Sequence, residues 1–347
     1  MSTSTSPPIE QPLAANATTA SEAAVTLRGL TKTFGPKVAV NGLDLTIPRG
    51  SVYGFIGQNG AGKTTTIRMI MSIIFPDRGE IRVLGRASAV ESKDRIGYLP
   101  EERGLYRKMK VGAFLEYMAK LKGLDGGGSL DRKIGGWLER TGLSETRRKR
   151  CEELSKGMQQ KVQFIASVIH EPELVILDEP FSGLDPSNRR LLRQLIREQR
   201  EAHRTIIFST HAMFEAEQLC THLFMIHKGN KVLDDSLESV LRTHDPRTVI
   251  VEPLSGADVA LQAWDAIPGV QETRRHGTFV ELRLDATTQA ATVMPRAATI
   301  APVRRLELAR PNLEEIFIGL VGGDVAALRA EQEELEGATP AASGGDA

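Results

Sequence analysis

Eight consecutive residues, Gly57-Gln58-Asn59-Gly60-Ala61-Gly62-Lys63-Thr64, fit the pattern GxxxxGK[ST]. The chemistry such a run can do is to hold a polyphosphate. Glycines let successive backbone N–H groups turn inward around phosphate oxygens, and a following helix N-terminus adds a favourable dipole. Lys63 is placed to reach β- and γ-phosphates, the Thr64 hydroxyl to ligate Mg²⁺, and Thr65 to join the nucleotide-binding loop. The surroundings support this over a chance glycine turn. Ser51–Ile56 is short, apolar and β-rich. Beyond the loop, Ile67, Ile70, Met71 and Ile74 fall at i, i+3, i+4 and i+7, which predicts a helix that stops before Pro76. Strand, glycine loop and helix together are what the motif requires, so an ATP or GTP site is expected.

Two more sets of polar residues stand at the ends of apolar runs. Leu174-Val175-Ile176-Leu177 leads into Asp178-Glu179-Pro180. A buried parallel strand delivers both carboxylates to the carboxyl edge of its sheet, where open α/β folds bind ligands. Asp178 suits Mg²⁺ and Glu179 suits a general base for an attacking water. The alternative is acidic capping of a helix, but the next helix is expected to begin at Pro186. Thr205–Thr210 is a second such strand and ends at His211, a candidate γ-phosphate sensor.

Composition bounds the elements that hold these residues. The 347 residues can form one large α/β domain and a small second one. Lys+Arg and Asp+Glu balance at 44 each, so no nucleic-acid partner is expected. The basic run Arg147–Arg150 reads as a solvated turn. Cys151 and Cys220 lie far apart without metal-ligand spacing and fit a reducing compartment. No stretch approaches the roughly 18 apolar residues of a membrane span, and no signal peptide is evident, so the expected location is cytoplasmic. Residues 1–22 and 323–347 read as largely disordered tails.

The first domain is expected over 23–241, with a linker at Arg242–Pro246 and an accessory domain over 247–322. In the accessory domain, strands are expected at Val249–Val251, Val270–Arg275, Thr278–Leu284 and Val303–Leu308. Helices are expected at Val259–Ala266 and Thr288–Arg296. That βαββαβ order is ferredoxin-like.

With these residues in place, the chain resembles the ATP-binding-cassette (ABC) ATPases over roughly 24–240. Leu154-Ser155-Lys156-Gly157-Met158-Gln159-Gln160 stands where that family has its LSGGQ signature. Ser182-Gly183-Leu184-Asp185-Pro186 looks like its D-loop, His211 matches its switch histidine, and Phe34 sits where an aromatic stacks on adenine. Ser155 can cap a helix whose apolar face is Val162, Ile165, Ala166 and Ile169. The resemblance implies that Ser155, Lys156 and Gly157 close on ATP held by a second nucleotide-binding domain, so that a homodimer or heterodimer forms. Two departures stand out. The signature reads LSKGM, and Glu101 replaces the Q-loop glutamine; Glu101 can still accept from water or ligate Mg²⁺, but cannot donate as an amide would.

The C-terminal unit resembles the accessory domain of ATP-binding subunits from bacterial sodium and drug exporters with separate ABC-2-type membrane subunits. The likeness rests on Gly97–Tyr106 and on Arg310-Pro311-Asn312-Leu313-Glu314-Glu315-Ile316-Phe317. It implies an exporter ATPase, peripheral on the cytoplasmic face of the membrane. The expected fold is therefore α/β: a P-loop ABC core with an antiparallel β portion and a helical subdomain near 105–170, plus a ferredoxin-like α+β domain. A soluble ABC ATPase acting on ribosomes, nucleic acid or a protein assembly stays open as the alternative.

Overall fold

The computed structural model describes residues 23–102, 104–245, 247–254, 261–309 and 312–322. The expectations placed on 1–22, Arg103, Pro246, 259–260, Arg310, Pro311 and 323–347 lie outside these residues. The chain divides into two compact units between Asp234 and Asp235. Each has its own apolar core.

The first unit begins with a long antiparallel hairpin of β1 (Ala23–Phe34) and β2 (Lys37–Pro48). In β2, Leu43, Leu45 and Ile47 are buried while Gly42, Asp44 and Thr46 are exposed, the period-two pattern of a sheet with one face covered. The loop motif follows β3 (Val52–Ile56) and opens α1 (Lys63–Ile70); β4 (Arg78–Val83) then completes a three-stranded sheet in the order β2-β1-β4. The helix α1 ends a turn earlier than its periodicity predicts. Ser72 takes a left-handed φ of 56°, which breaks the helical path, so Met71 and Ile74 pack on the core from a turn instead.

Next come β5 (Ile96–Leu99), α2 (Val111–Leu121), α3 (Gly128–Arg140) and α4 (Lys156–Val168). Trp137 of α3 meets Phe164 of α4 edge-on, with centroids 6.5 Å apart, and Val162, Ile165, Ala166 and Ile169 are all buried. The unit closes with β6 (Leu174–Asp178), α5 (Pro186–Glu201), β7 (Thr205–Thr210), α6 (Met213–Leu219), β8 (His222–His227) and β9 (Asn230–Ser236). These strands form a six-stranded sheet, order β5-β6-β7-β3-β8-β9, whose β5/β6, β6/β7, β7/β3 and β3/β8 pairs are parallel. Every residue of β3, β6 and β7 is buried, which is why their sequences are nearly unbroken apolar runs.

In the second unit, α7 (Leu237–Thr243) is capped by Ser236, whose hydroxyl accepts from Ser239 N at 3.1 Å; the helix includes Arg242 and Thr243 of the expected linker. Then follow β10 (Thr248–Pro253), α8 (Leu261–Asp265), β11 (Val270–His276), β12 (Phe279–Leu284), α9 (Ala290–Ile300), β13 (Val303–Leu308) and α10 (Leu313–Leu320). The antiparallel order β11-β12-β10-β13 is the ferredoxin-like arrangement. Here α9 starts later than expected, because the Asp285 carboxylate accepts from both Thr287 N and Thr288 N at 2.8 Å and holds them in a turn.

Candidate nucleotide site

Parallel register brings the distant motifs to one edge. Ile56 of β3 lies beside Thr210 of β7, and Asp178 of β6 beside Ser209. Gly57, Glu179 and His211 each follow one of these paired strand ends, so they emerge together. Leu99 of β5 pairs with Leu177 and leads by way of Pro100 to Glu101. The outcome is a cavity of about 180 Å³ lined by Asn59–Thr65, Glu101 and Glu179.

The loop needs its glycines for space. A Cβ on Gly57 would lie 2.3 Å from the Ile226 carbonyl oxygen, and one on Gly62, whose φ is 115°, would lie 2.5 Å from that of Ala39. Lys63 Nζ donates to Gly57 O at 2.7 Å and Gln58 O at 3.3 Å, which folds the ammonium back over the loop. It also stands 3.2 Å from Glu179 Oε1, and both side chains are buried.

The carboxylate pair is held on several sides. Asp178 Oδ1 accepts from Ser209 Oγ at 2.6 Å and Thr64 Oγ1 at 3.1 Å, while Asp178 Oδ2 is buried with no hydrogen-bond partner. Burial raises the Asp178 pKa, and the Glu101 and Glu179 carboxylates add to this against the two hydroxyl donors. Tyr98 on β5 is pushed up to about 12, mainly by burial and then by the charge of Asp178. Glu179 has a φ of 47°, a costly backbone region for a side chain with a Cβ. Its N–H donates to Ser209 Oγ at 2.9 Å, and its Oε2 accepts from His211 Nδ1 at 3.0 Å.

Other expected residues lie apart from this cavity. Phe34 is exposed at the end of β1 under Lys32, whose Nζ is 5.5 Å from the ring centroid. Ser155 caps α4 by accepting from Met158 N at 3.3 Å, with Lys156 and Gly157 in the first turn. Asp185 caps α5 by accepting from Asn188 N at 2.9 Å. A Cβ on Gly157 would meet Asn188 Nδ2 at 2.7 Å, so signature and D-loop are neighbours within one chain. Neither lines the cavity, among the described residues.

Residues 40–182 match the family described as ABC transporter, and residues 236–321 match that described as ATP-binding protein DrrA1-3-like, C-terminal domain. The ABC transporter ATP-binding protein YhaQ of Bacillus subtilis strain 168 is 40% identical over 298 residues, 86% of this chain and 98% of that protein. The chain belongs to the ATP-binding proteins of ABC transporters. Another relative of this ABC protein, linearmycin resistance ATP-binding protein LnrL of the same organism, is 31% identical over 302 residues, 84% of this chain and 96% of that one. A solved structure of an ATP-binding subunit of an ABC transporter superposes with a TM-score of 0.59 at 29% identity, over 63% of this chain and 92% of that chain.

For an ABC ATP-binding protein the donor set also fits the Mg²⁺ that accompanies ATP. The orphaned Asp178 Oδ2 and the Thr64 hydroxyl are hard oxygen ligands. Among the described residues no group of three or more His, Cys, Asp or Glu could hold a metal ion.

Sequence reasoning missed Ser209, which bridges Asp178 and the Glu179 backbone; its only signal was a hydroxyl at the end of an apolar strand. It named Gln160 only as part of the signature run and did not foresee that its Nε2 donates to Pro180 O at 3.1 Å, which ties the signature helix to the segment after the carboxylate strand.

Proposed function

We propose that this chain hydrolyses ATP to power an exporter, and that two nucleotide-binding units, identical or from related chains, close on two ATP molecules. The observation that carries the reading is the meeting of Lys63, Thr64, Asp178, Glu179 and His211 at one sheet edge, with the signature outside it. The backbone N–H groups of Gly57–Thr65 wrap the phosphates, and Phe34 offers an exposed face to the adenine. Lys63, drawn to the β- and γ-phosphates, exchanges its contact with Glu179 for phosphate oxygens. Glu179 is then free to take a proton from water as the water oxygen bonds to the γ-phosphorus and the bond to ADP breaks. His211 orients the Glu179 carboxylate and reports on the γ-phosphate.

Thr64 and Asp178 would hold Mg²⁺, with Glu101 the further oxygen within the cavity. When bound, the ion neutralises charge on the β- and γ-oxygens. Ser155, Lys156 and the amide groups at Gly157 meet the γ-phosphate carried by the partner's loop, and Asp185 joins the same interface. The position of the signature away from the cavity of its own chain supports this two-unit site. No helix among the described residues is long and apolar enough to cross a membrane. The reading includes separate membrane subunits, as the family of ABC transporter ATP-binding proteins suggests, under which this chain docks on the cytoplasmic face. The resistance named for LnrL favours export.

The test is purification of Glu179→Gln from detergent-solubilised membranes with ATP and Mg²⁺. The variant is expected to lose turnover by about a thousandfold or more, to trap an ATP-bound dimer, and to bring down a multi-span membrane protein. Hydrolysis at the wild-type rate would refute the base assignment. Recovery with ribosomal or other soluble partners alone would move the reading to a soluble ABC ATPase.

A further inference from the structure

The second unit contains a cavity of about 330 Å³, within the size range of small-molecule sites. It lies where the end of β10, the β11–β12 turn, the start of β13 and α8 meet. Its walls differ sharply in chemistry. Trp264, Phe279 and Leu254 supply apolar and aromatic surface, while Arg275, Arg304 and Glu252 are the charged residues, two cations to one anion.

Trp264 makes this more than a surface fold. The side chain is fully buried, the largest so enclosed among the described residues, yet its indole N–H has no acceptor. A buried tryptophan donor normally finds a partner, and leaving one unmade carries a desolvation cost. Arg304 is 65% exposed and meets Glu252 Oε1 only at 3.4 Å, so its guanidinium retains donors for a bidentate anion. Phe279 is steadied by stacking on His276, with ring centroids 5.4 Å apart.

We propose that this cavity binds a small amphipathic anion, a carboxylate or phosphate monoester with a compact apolar or aromatic body. The apolar body packs on Phe279 and Leu254, over the buried Trp264, and the head group pairs with Arg304. Such a ligand offers apolar contact to the aromatic wall and an acceptor for the Arg304 donors that Glu252 leaves over. The site is separate from the ATP chemistry, and its proposal does not depend on the partner or direction of transport.

Calorimetric titration of the full chain tests it, using phenylacetate and phenyl phosphate as probes and neutral phenylacetamide as control. A Lys63→Ala background, with excess Mg-free buffer, keeps the phosphate probe from being scored at the nucleotide loop. One anionic probe is expected to bind saturably with one-to-one stoichiometry, and the amide at least about tenfold more weakly. Arg304→Ala, an exposed change that leaves the fold intact, should weaken binding roughly tenfold, and Arg304→Lys should restore part of it. Carboxylate or phosphate preference identifies the head group. Absence of saturable binding by both anions at millimolar concentration would overturn the proposal, as would equal binding of the amide or an unchanged affinity in Arg304→Ala.

Discussion

Asp178 divides its work between two oxygens. One accepts from Ser209 and Thr64; the other is buried with nothing to accept from. A carboxylate kept this way is costly while ionised, and its raised pKa records that cost, with burial the leading cause. The sign follows from linkage. A folded-state pKa above the unfolded value means stability is fully present below the ordinary carboxylate range and is lost as pH rises through the folded value. At pH 7 the nucleotide-free protein therefore carries the penalty. Asp178→Asn keeps an oxygen for Ser209 and Thr64 and puts an amide at the orphaned position. It is expected to raise the melting temperature at pH 7 without nucleotide while lowering Mg-ATP turnover at least about a hundredfold. Paired melting curves and ATPase assays decide this: a lowered melting temperature would mean that the negative charge itself stabilises the strand end. The residue types were legible because an acidic pair after four apolar residues has few structural uses. Ser209 was not legible, because its role depends on which strand lies alongside.

At the scale of elements, the contact between β5 and α4 positions both the Glu101 loop and the signature helix. Gly97 allows it: a Cβ there would lie 1.9 Å from the Ser167 carbonyl oxygen. His170, just beyond α4, donates from Nε2 to Ile96 O at 3.2 Å and is buried beside Lys122. Burial, with the Lys122 charge, lowers its pKa from 6.5 to about 4. The stability this neutral histidine contributes is present above pH 6.5 and lost as pH falls toward 4. The difference in unfolding free energy between wild type and His170→Gln should therefore shrink by about 3 kcal/mol from pH 7 to pH 4. Denaturant titrations at both pH values measure it, and a constant difference would show that His170 does not titrate in that window. Sequence periodicity anticipated α4 and its cap because a helix face is written in residues three and four apart. It overran α1, because a single left-handed residue, Ser72, ends a helix without altering the apolar pattern around it.

On the scale of the whole molecule, every residue lining the phosphate cavity belongs to the first unit, and the second unit has a core of its own. Mg-ATP at one hundred times its Kd should stabilise the first unit by about 2.7 kcal/mol. Hydrogen exchange read peptide by peptide should show protection gathered at 57–65 and at the ends of β6 and β7. Protection spread evenly over both units would point to nucleotide contacts that the cavity lining does not include. In the second unit the βαββαβ order was readable from alternation and turn residues. Its cavity was not, since the lining comes from four separate stretches of chain.

The sequence by itself determined the phosphate loop and the apolar strands that flank it, because both are encoded by neighbouring residues: glycines that permit the loop's close approaches, and side chains that demand burial on two faces. It also carried the family, through the order and spacing of its motifs. Only the tertiary structure decided that Glu179 meets Lys63 and His211, that Asp178 meets Thr64 and Ser209, and that Ser155–Gly157 do not line the same cavity. Those meetings depend on the register of parallel strands that are not neighbours in the chain. Such a register is set by packing across the whole sheet, which no local pattern contains.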